Sequence, residues 1–376
     1  MSSHLPAEMK ALVCAGVGKP LELKTIPTPT AIPGSVVVKI VAAAADYRIP
    51  HMLSGEIGFT FPSNLTPGSR AVGRIAATSI DTTSFREGQL VLLEPFIRAR
   101  DDPSVQILWG MFDGVSSASK KLAADSWALG TFAEYTRVPL ENCWALDETR
   151  LCGSPSDGGL GCSPAQLIHI ATQAVAFGGL RAINLQAGER IIAAPASGNY
   201  SGAAVQVAVA MGANVIAMGR KLEPLRALQA QFPPGRVEVV PITGNVQADV
   251  AALKQWGPVD AYLDLSPAEA KESTHLRSCF LALRQYARVA LMGVIRTDLP
   301  VPYALATWNS LTIVGKYMYE REDVRLLIKM AESGVLRVGS AEGVEVMGEF
   351  KLEQVEEAFA LAAQHTGVGK MVVLAP

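Results

Sequence analysis

The chain has 376 residues, 49% of them hydrophobic and 18% charged, which allows two domains with separate cores and excludes a disordered or fibrous chain. Its formal net charge is −2, with lysines and arginines scattered along its length. No basic stripe exists to neutralise a phosphate backbone, so nucleic acid is not an expected partner.

Met1 to Lys10 is polar and lacks an apolar signal core, and the most apolar stretches are broken by Lys39, His169 and Arg181 before they reach membrane-spanning length. The five cysteines, Cys14, Cys143, Cys152, Cys162 and Cys279, are widely spaced, odd in number and without C-x-x-C spacing. Neither a disulfide framework nor a zinc knot fits that spacing. A cytoplasmic protein with no membrane partner is expected, and the Leu-Ala-Pro terminus is no peroxisomal address.

Up to about Glu148 the pattern predicts short strands: Ala11 to Cys14, Ser35 to Val41, Ala71 to Ala77, Gln89 to Glu94 and Thr131 to Arg137. Pro33-Gly34, Pro67-Gly68 and Glu87-Gly88 punctuate them as turns. Evenly spaced short strands predict a β-barrel-like domain. From about Ser163 the rhythm becomes helix and strand in alternation. Pro164 to Leu185 reads as helix, Arg190 to Ala194 as strand, Gly202 to Met211 as helix and Asn214 to Met218 as strand. Apolar strands follow at Val237 to Pro241, Ala261 to Leu265, Arg288 to Met292 and Leu311 to Val314, which predicts a parallel sheet covered on both faces. Val344 to Phe350, Leu352 to His365 and Lys370 to Leu374 close the chain as strand, helix and strand.

The segment Ile191 to Gln206 carries the clearest chemistry. An apolar strand runs through the small-residue turn Ser197-Gly198-Asn199-Tyr200-Ser201-Gly202 straight into an apolar helix. A dinucleotide pyrophosphate needs that arrangement, because backbone amides must approach it and a helix N-terminus must face it. The strict G-x-G-x-x-G is absent. The next strand ends in Gly219-Arg220-Lys221, twenty-odd residues beyond Gly198. An NAD site would place an acidic residue there on the ribose hydroxyls, whereas two cations suit a 2′-phosphate, so NADPH is the expected cofactor.

With these residues in view, the sequence resembles the medium-chain dehydrogenase/reductase family over nearly its whole length. Ser197 to Gln206 followed by Ala210-Met-Gly-Ala213 resembles that family's nucleotide-binding turn and helix. Pro67-Gly-Ser-Arg-Ala-Val-Gly-Arg-Ile75 resembles its glycine-histidine-glutamate segment, Gly130-Thr-Phe-Ala-Glu-Tyr135 its entry to the last strand of the N-terminal domain, and Gly369-Lys-Met-Val-Val373 its C-terminal strand. The resemblance implies an α/β fold: a GroES-like β-barrel catalytic domain over 1–160 and 318–376, and a doubly wound, parallel-sheet Rossmann domain over 161–317. It also implies a homodimer joined through Leu311 to Tyr319 and a small-molecule substrate met by loops such as Trp109 to Asp113 and Tyr303 to Trp308.

The departures from the family pattern narrow the expected chemistry. Zinc-bearing members place a metal-binding cysteine where Ala42-Ala43-Ala44-Ala45-Asp46 stands here, and Ser69 and Arg70 replace their histidine and glutamate. Alanine and arginine cannot ligate zinc. The four-cysteine lobe is also missing, since Phe96 to Thr131 holds no cysteine, so no metal site is expected. The resemblance then implies a zinc-free reductase of enones or quinones, with Tyr47, Arg48 and His51 as candidate catalytic donors. A zinc-free carbonyl reductase or alcohol dehydrogenase, and a non-redox isomerase, cyclase or structural protein on the same fold, are the alternatives. By position, Ser266, Gly293, Val294, Lys316 and Lys370 join Ser197, Gly198, Asn199, Tyr200, Ser201, Gly219, Arg220 and Lys221 as expected cofactor contacts. His4, His169, His275 and His365 have no ligand-spaced partner and are read as structural or surface residues.

Overall fold

Alternating apolar residues in the first third of the chain become short antiparallel strands in the computed structural model, which describes residues 5–340 and 343–376. The chain forms two units. The first takes residues up to Ala171, then Val344–His365 and Lys370–Pro376; the second takes Thr172–Gly343 and Thr366–Gly369.

In the first unit, β1 (Glu8–Cys14) and β2 (Leu21–Pro27) pair antiparallel. The main sheet is built from β3 (Ser35–Ala44), β4 (Ala71–Thr78) and β5 (Leu90–Leu93). After the hairpin β6 (Phe96–Arg98) and β7 (Gln106–Leu108), β8 (Tyr135–Pro139) and β9 (Cys143–Ala145) rejoin that sheet. Two register shifts along the β3–β4 pair, at Val37/Val38 and Ile40/Ala42, bend the sheet as bulges do. Val36, Val38 and Ile40 are buried in one core with Ile75, Val91, Trp109, Phe132 and Val138.

Two expectations for this unit change. Thr131 and Phe132 are not strand; their N–H groups donate to the carbonyls of Gly68 and Pro67, 3.0 Å each. Gly68 has φ +95°, and a Cβ there would fall 2.5 Å from the Phe132 ring, so only glycine fits. Trp109, expected in a substrate loop, is fully buried and donates its Nε1–H to the Leu129 carbonyl at 3.0 Å.

The second unit is a six-stranded parallel sheet made of β10 (Arg190–Ala194), β11 (Asn214–Gly219), β12 (Val237–Pro241), β13 (Val259–Asp264), β14 (Leu283–Leu291) and β15 (Thr312–Gly315). Its order is β12-β11-β10-β13-β14-β15. The chain winds outward from β10 to β12, then crosses back to β13. The reversal between β10 and β13 leaves a crevice at the C-terminal strand ends, where such sheets bind ligands. Ile192, Ile216, Val240, Tyr262 and Val289 are buried in its core.

The chain closes with β16 (Glu345–Phe350) and β17 (Lys370–Leu374), which complete the first unit's sheet in the order β16-β17-β3-β4-β5-β9, with β8 on β3. The return to the first unit therefore comes at Val344 and not at residue 318. Tyr319 is buried, Arg181 pairs with Asp323 at 3.3 Å, and a Cβ on Gly178 would touch the Met318 carbonyl. These contacts tie the helix Arg321–Glu332 to the second unit. At the other boundary the predicted helix Pro164 to Leu185 is a 3-10 turn, Pro164–Ile168, followed by the α-helix His169–Ala182, within which the division falls. Among the described residues no helix is long and apolar enough to cross a membrane.

Candidate functional site

In the second unit, β10 delivers the chain to Gly198, the N-cap of the helix Asn199–Ala210. Ser201 folds back so that its Oγ accepts the Gly198 N–H at 3.1 Å, and the Gly198 carbonyl accepts the Gly202 N–H at 2.7 Å. A Cβ on Gly202 would fall 2.5 Å from Val368, so the helix approaches that segment only because the residue is glycine. Gly198 itself is exposed, so no side chain covers the mouth of the turn. The Oδ1 of Asn199 is buried and has no hydrogen-bond partner, an acceptor waiting for a donor. An anion with neighbouring hydroxyl groups fits this turn, with the helix dipole favouring the charge.

The adenosine-side positions follow from the sheet. β11 ends at Gly219, whose carbonyl accepts the Ile242 N–H at 2.9 Å, and the Ala196 N–H donates to Met218 at 2.8 Å. Arg220 and Lys221 emerge exposed, and neither forms an ion pair among the described residues.

The remaining expected cofactor contacts divide. Val294 is 63% exposed and its N–H donates to the Ser266 carbonyl at 2.8 Å. Gly293 is held close, since a Cβ there would fall 2.6 Å from Asp264 Oδ2. Ser266 is buried, and its hydroxyl donates inward to Asp264 at 2.5 Å; it is the backbone that borders the crevice. Lys316 follows β15, three strands from β10 and so about 14 Å across the sheet. Its ammonium pairs with Glu320 at 2.5 Å, which takes it away from a phosphate role at the turn. Lys370 lies on β17 in the first unit, where it pairs with Glu345 at 2.6 Å. Tyr200 and Ser197 sit on the turn, each half-buried.

In the first unit, the alanine run ends in a cluster of charge. Asp46 Oδ1 accepts from the Arg48 backbone N–H at 3.0 Å and from Arg48 Nε at 2.9 Å. Its Oδ2 accepts from Arg48 Nη2 at 2.6 Å and Arg70 Nη2 at 3.0 Å. The side chains of Asp46 and Arg70 are only 8% and 6% exposed. Burial alone would raise the Asp46 carboxyl, but the guanidinium groups of Arg48 and Arg70 outweigh it and hold it well below the usual carboxylate range. Ala43 is fully buried, and Ser69 Oγ contacts Met111 Sδ at 3.3 Å. Among the described residues no three histidine, cysteine or carboxylate side chains are grouped to hold a metal.

The helix Arg48–Leu53 buries Ile49, Met52 and Leu53, leaving Arg48 and His51, one turn apart, on its outer face. Tyr47, at the helix N-cap, is 37% exposed, with the Arg48 guanidinium 5.9 Å from its ring centre. His51 Nδ1 meets Glu56 Oε2 at 2.7 Å, both side chains exposed. Tyr47, Arg48 and His51 are thus brought together. Sequence reasoning missed that Asp46 is the hub of this cluster, because its second partner lies 24 positions away on another segment. Of the other histidines, His169 and His275 are buried, His365 is half-buried, and His4 lies outside the described residues. All five cysteines are free.

Two protein-family models match the chain: the alcohol dehydrogenase GroES-like domain over residues 32–148 and the zinc-binding dehydrogenase over residues 201–333. An NAD-dependent alcohol dehydrogenase of Sulfurisphaera tokodaii is 23% identical, across 97% of this chain and 100% of its own. An acryloyl-coenzyme A reductase of the same organism is also 23% identical, covering 97% and 99%. Among solved structures, an alcohol dehydrogenase of E. coli CFT073 complexed with NADH superposes with a TM-score of 0.75 at 18% identity, covering 99% of this chain and 100% of its own. With both family models falling in chain order on an antiparallel-sheet unit and a Rossmann unit, the chain belongs to the medium-chain dehydrogenase/reductase superfamily, oxidoreductases that work with a nicotinamide cofactor.

Proposed function

We propose that this protein is a zinc-independent, NADPH-dependent reductase of activated alkenes or quinones. The closed ion cluster of Asp46, Arg48 and Arg70 carries this reading. Zinc needs thiolate, imidazole or carboxylate donors converging on one point. Here both carboxylate oxygens of Asp46 are taken by guanidinium groups, Ser69 faces a thioether, and Arg70 would repel a cation. The residues in these positions do not fit the metal.

Without a Lewis acid, the substrate must carry its own means of spreading charge. A simple ketone concentrates the incoming negative charge on one oxygen, which zinc would otherwise neutralise. An enone or quinone moves that charge onto a distant oxygen, where a hydrogen bond from the Tyr47 hydroxyl, assisted by Arg48 or His51, suffices. The reduced nicotinamide supplies the hydride when bound. The turn from Ser197 to Ser201 would hold its pyrophosphate, with Asn199 Oδ1 accepting from a hydroxyl. Arg220 and Lys221, which form no ion pair among the described residues, favour a 2′-phosphate.

The acryloyl-coenzyme A reductase among the relatives supports an alkene substrate. The relatives named as NAD-dependent alcohol dehydrogenases favour, as a second reading, a carbonyl reductase or alcohol dehydrogenase. The deciding assay follows NADPH and NADH oxidation with an enone, its saturated ketone and a quinone, alongside elemental analysis. Turnover of the enone or quinone, retained in strong chelator, is expected. Rapid reduction of the saturated ketone alone selects the carbonyl reading, and about one zinc per chain with activity lost on its removal overturns the proposal. Tight cofactor binding without turnover selects a non-redox isomerase or cyclase.

The same reading includes a homodimer formed through β15. That strand ends the sheet, Ile313 on it is 38% exposed, and Trp308 just before it is 83% exposed. An open apolar edge of this kind invites pairing. Light scattering at micromolar concentration is expected to give twice the chain mass; a monomer refutes it.

A further inference from the structure

Beneath the strand ends of the second unit lies a hydrogen-bonded chain that the glycine turn does not account for. It links Asp264, the last residue of β13, Ser266 two positions on, and His275, which opens the helix His275–Ala282. All three are at least nine-tenths buried. The Ser266 hydroxyl donates to Asp264 Oδ1 at 2.5 Å, and the Tyr262 hydroxyl donates to the same oxygen at 3.1 Å. Both bonds converge on one carboxyl oxygen, which acts here as the acceptor.

The proton order along the chain then follows. Ser266 has one hydrogen and gives it to Asp264, so its contact with His275 Nε2 at 2.8 Å must be a bond donated by the imidazole. That order rules out a serine nucleophile, which would hand its proton to the imidazole while the carboxylate held the other ring nitrogen. Ser266 is a bridge. The other ring nitrogen, Nδ1, lies 2.7 Å from the hydroxyl of half-buried Ser273. A hydroxyl both donates and accepts, so the ring can gain a proton there and keep both bonds.

Few other titratable groups face the ring. Tyr262 on β13 and Cys279 on the same helix are both pushed far up by burial and stay neutral. The helix Val246–Lys254 offers Asp249, fully buried and bound by the Thr243 hydroxyl and N–H. Strand β10 bears only Arg190, at its opposite end, while Arg277, Glu269, Lys271 and Glu272 point outward and are exposed or nearly so.

The chain fastens the edge of the crevice. Asp264 O accepts the Met292 N–H at 2.9 Å, Ser266 O accepts the Val294 N–H at 2.8 Å, and Asp264 Oδ2 fills the space that a side chain on Gly293 would need. Asp264–Ser266 and Met292–Val294 therefore form one clamp beside the topological switch point.

We infer that His275 is a positioning residue for the nicotinamide nucleotide: through Ser266 it holds this clamp in the form that accepts the cofactor, and its charge tightens that grip. The inference rests on the dehydrogenase reading above. A protonated ring would stand 3.7 Å from Asp264 Oδ1, drawing the carboxylate inward and adding positive charge near an anionic ligand. Affinity should therefore rise as pH falls if the ring takes up a proton.

The test is fluorescence titration of the full chain with whichever of NADPH and NADH binds more tightly, from pH 5.5 to 8.5, with thermal denaturation in parallel. His275→Leu is expected to bind the nucleotide about five- to tenfold more weakly at neutral pH, the worth of one buried hydrogen bond. His275→Gln, whose amide N–H can replace the Nε2 donor, is expected to recover most of that affinity and to lose the tightening toward low pH. A histidine that is merely structural would leave the pH profile unmoved. Affinity unchanged in His275→Leu, or one pH profile shared by His275→Gln and the unmodified protein, overturns the inference. Should His275→Leu not fold, the profiles of His275→Gln and Ser273→Ala decide alone, and their superposition on the unmodified profile overturns it. Failure of the unmodified protein to bind either nucleotide overturns the dehydrogenase reading, and the inference with it.

Discussion

The turn at Ser197–Gly202 and the alanine run ending at Asp46 handle polar groups in opposite ways. At the turn, charge and hydrogen-bonding capacity are left open: Asn199 Oδ1 is buried without a partner, and Arg220 and Lys221 form no ion pair among the described residues. At the alanine run they are closed upon themselves, with both oxygens of Asp46 occupied by Arg48 and Arg70. An open acceptor beside a helix N-terminus costs stability until a ligand satisfies it. A buried carboxylate satisfied by two guanidinium groups has nothing left for a metal. The difference separates a region with unsatisfied polar groups from one whose charges are paired among themselves.

Breaking the closed cluster should produce the largest effect. Arg70→Ala leaves Asp46 buried beside a single, partly exposed partner, and loss of one member of a buried pair typically costs about 3–5 kcal/mol. Chemical denaturation would show that loss. A change within about 0.5 kcal/mol would mean that Asp46 finds solvent or another donor, and the contrast between the two regions would fail.

The open region should respond in binding and not in stability. Arg220→Ala is expected to weaken NADPH by about ten- to a hundredfold, as loss of a charge-assisted bond to phosphate would, while NADH changes little. Equal losses for the two cofactors in isothermal titration would show that Arg220 does not read the phosphate.

The smallest effect is expected at Tyr47. Tyr47→Phe should lower turnover on an enone about tenfold without moving the KM for cofactor, since Tyr47 is one of several donors to the developing charge. Complete loss of turnover would make the tyrosine the sole proton donor, and no change would pass the role to Arg48 or His51.

Much of this arrangement was legible in the residue order. The strands Arg190–Ala194 and Lys370–Leu374 lie where apolar runs between turn residues place them, because a strand buried on both faces shows itself in consecutive side chains. The glycine turn is equally local: small residues between strand and helix are needed within a few positions of one another. Helix starts were less legible. Asn199 opens the helix three residues before Gly202, since an N-terminal turn is stabilised by capping through Ser201 and not by the apolar period.

Sequence alone determined the two-part alternation of elements, the small-residue turn between strand and helix with cations following at Arg220 and Lys221, and the absence of cysteine from Phe96 to Thr131. Each depends on residue types within one short segment. Only the tertiary structure decided that Arg70 closes on Asp46, that Ser266 turns its hydroxyl inward to Asp264 and His275, and that Lys370 belongs to the first unit beside Glu345. The same is true of the return to the first unit at Val344. Those outcomes join residues from separate segments, and which charge meets which is set by the path of the chain in space, a quantity that hydrophobic periodicity and local spacing do not encode.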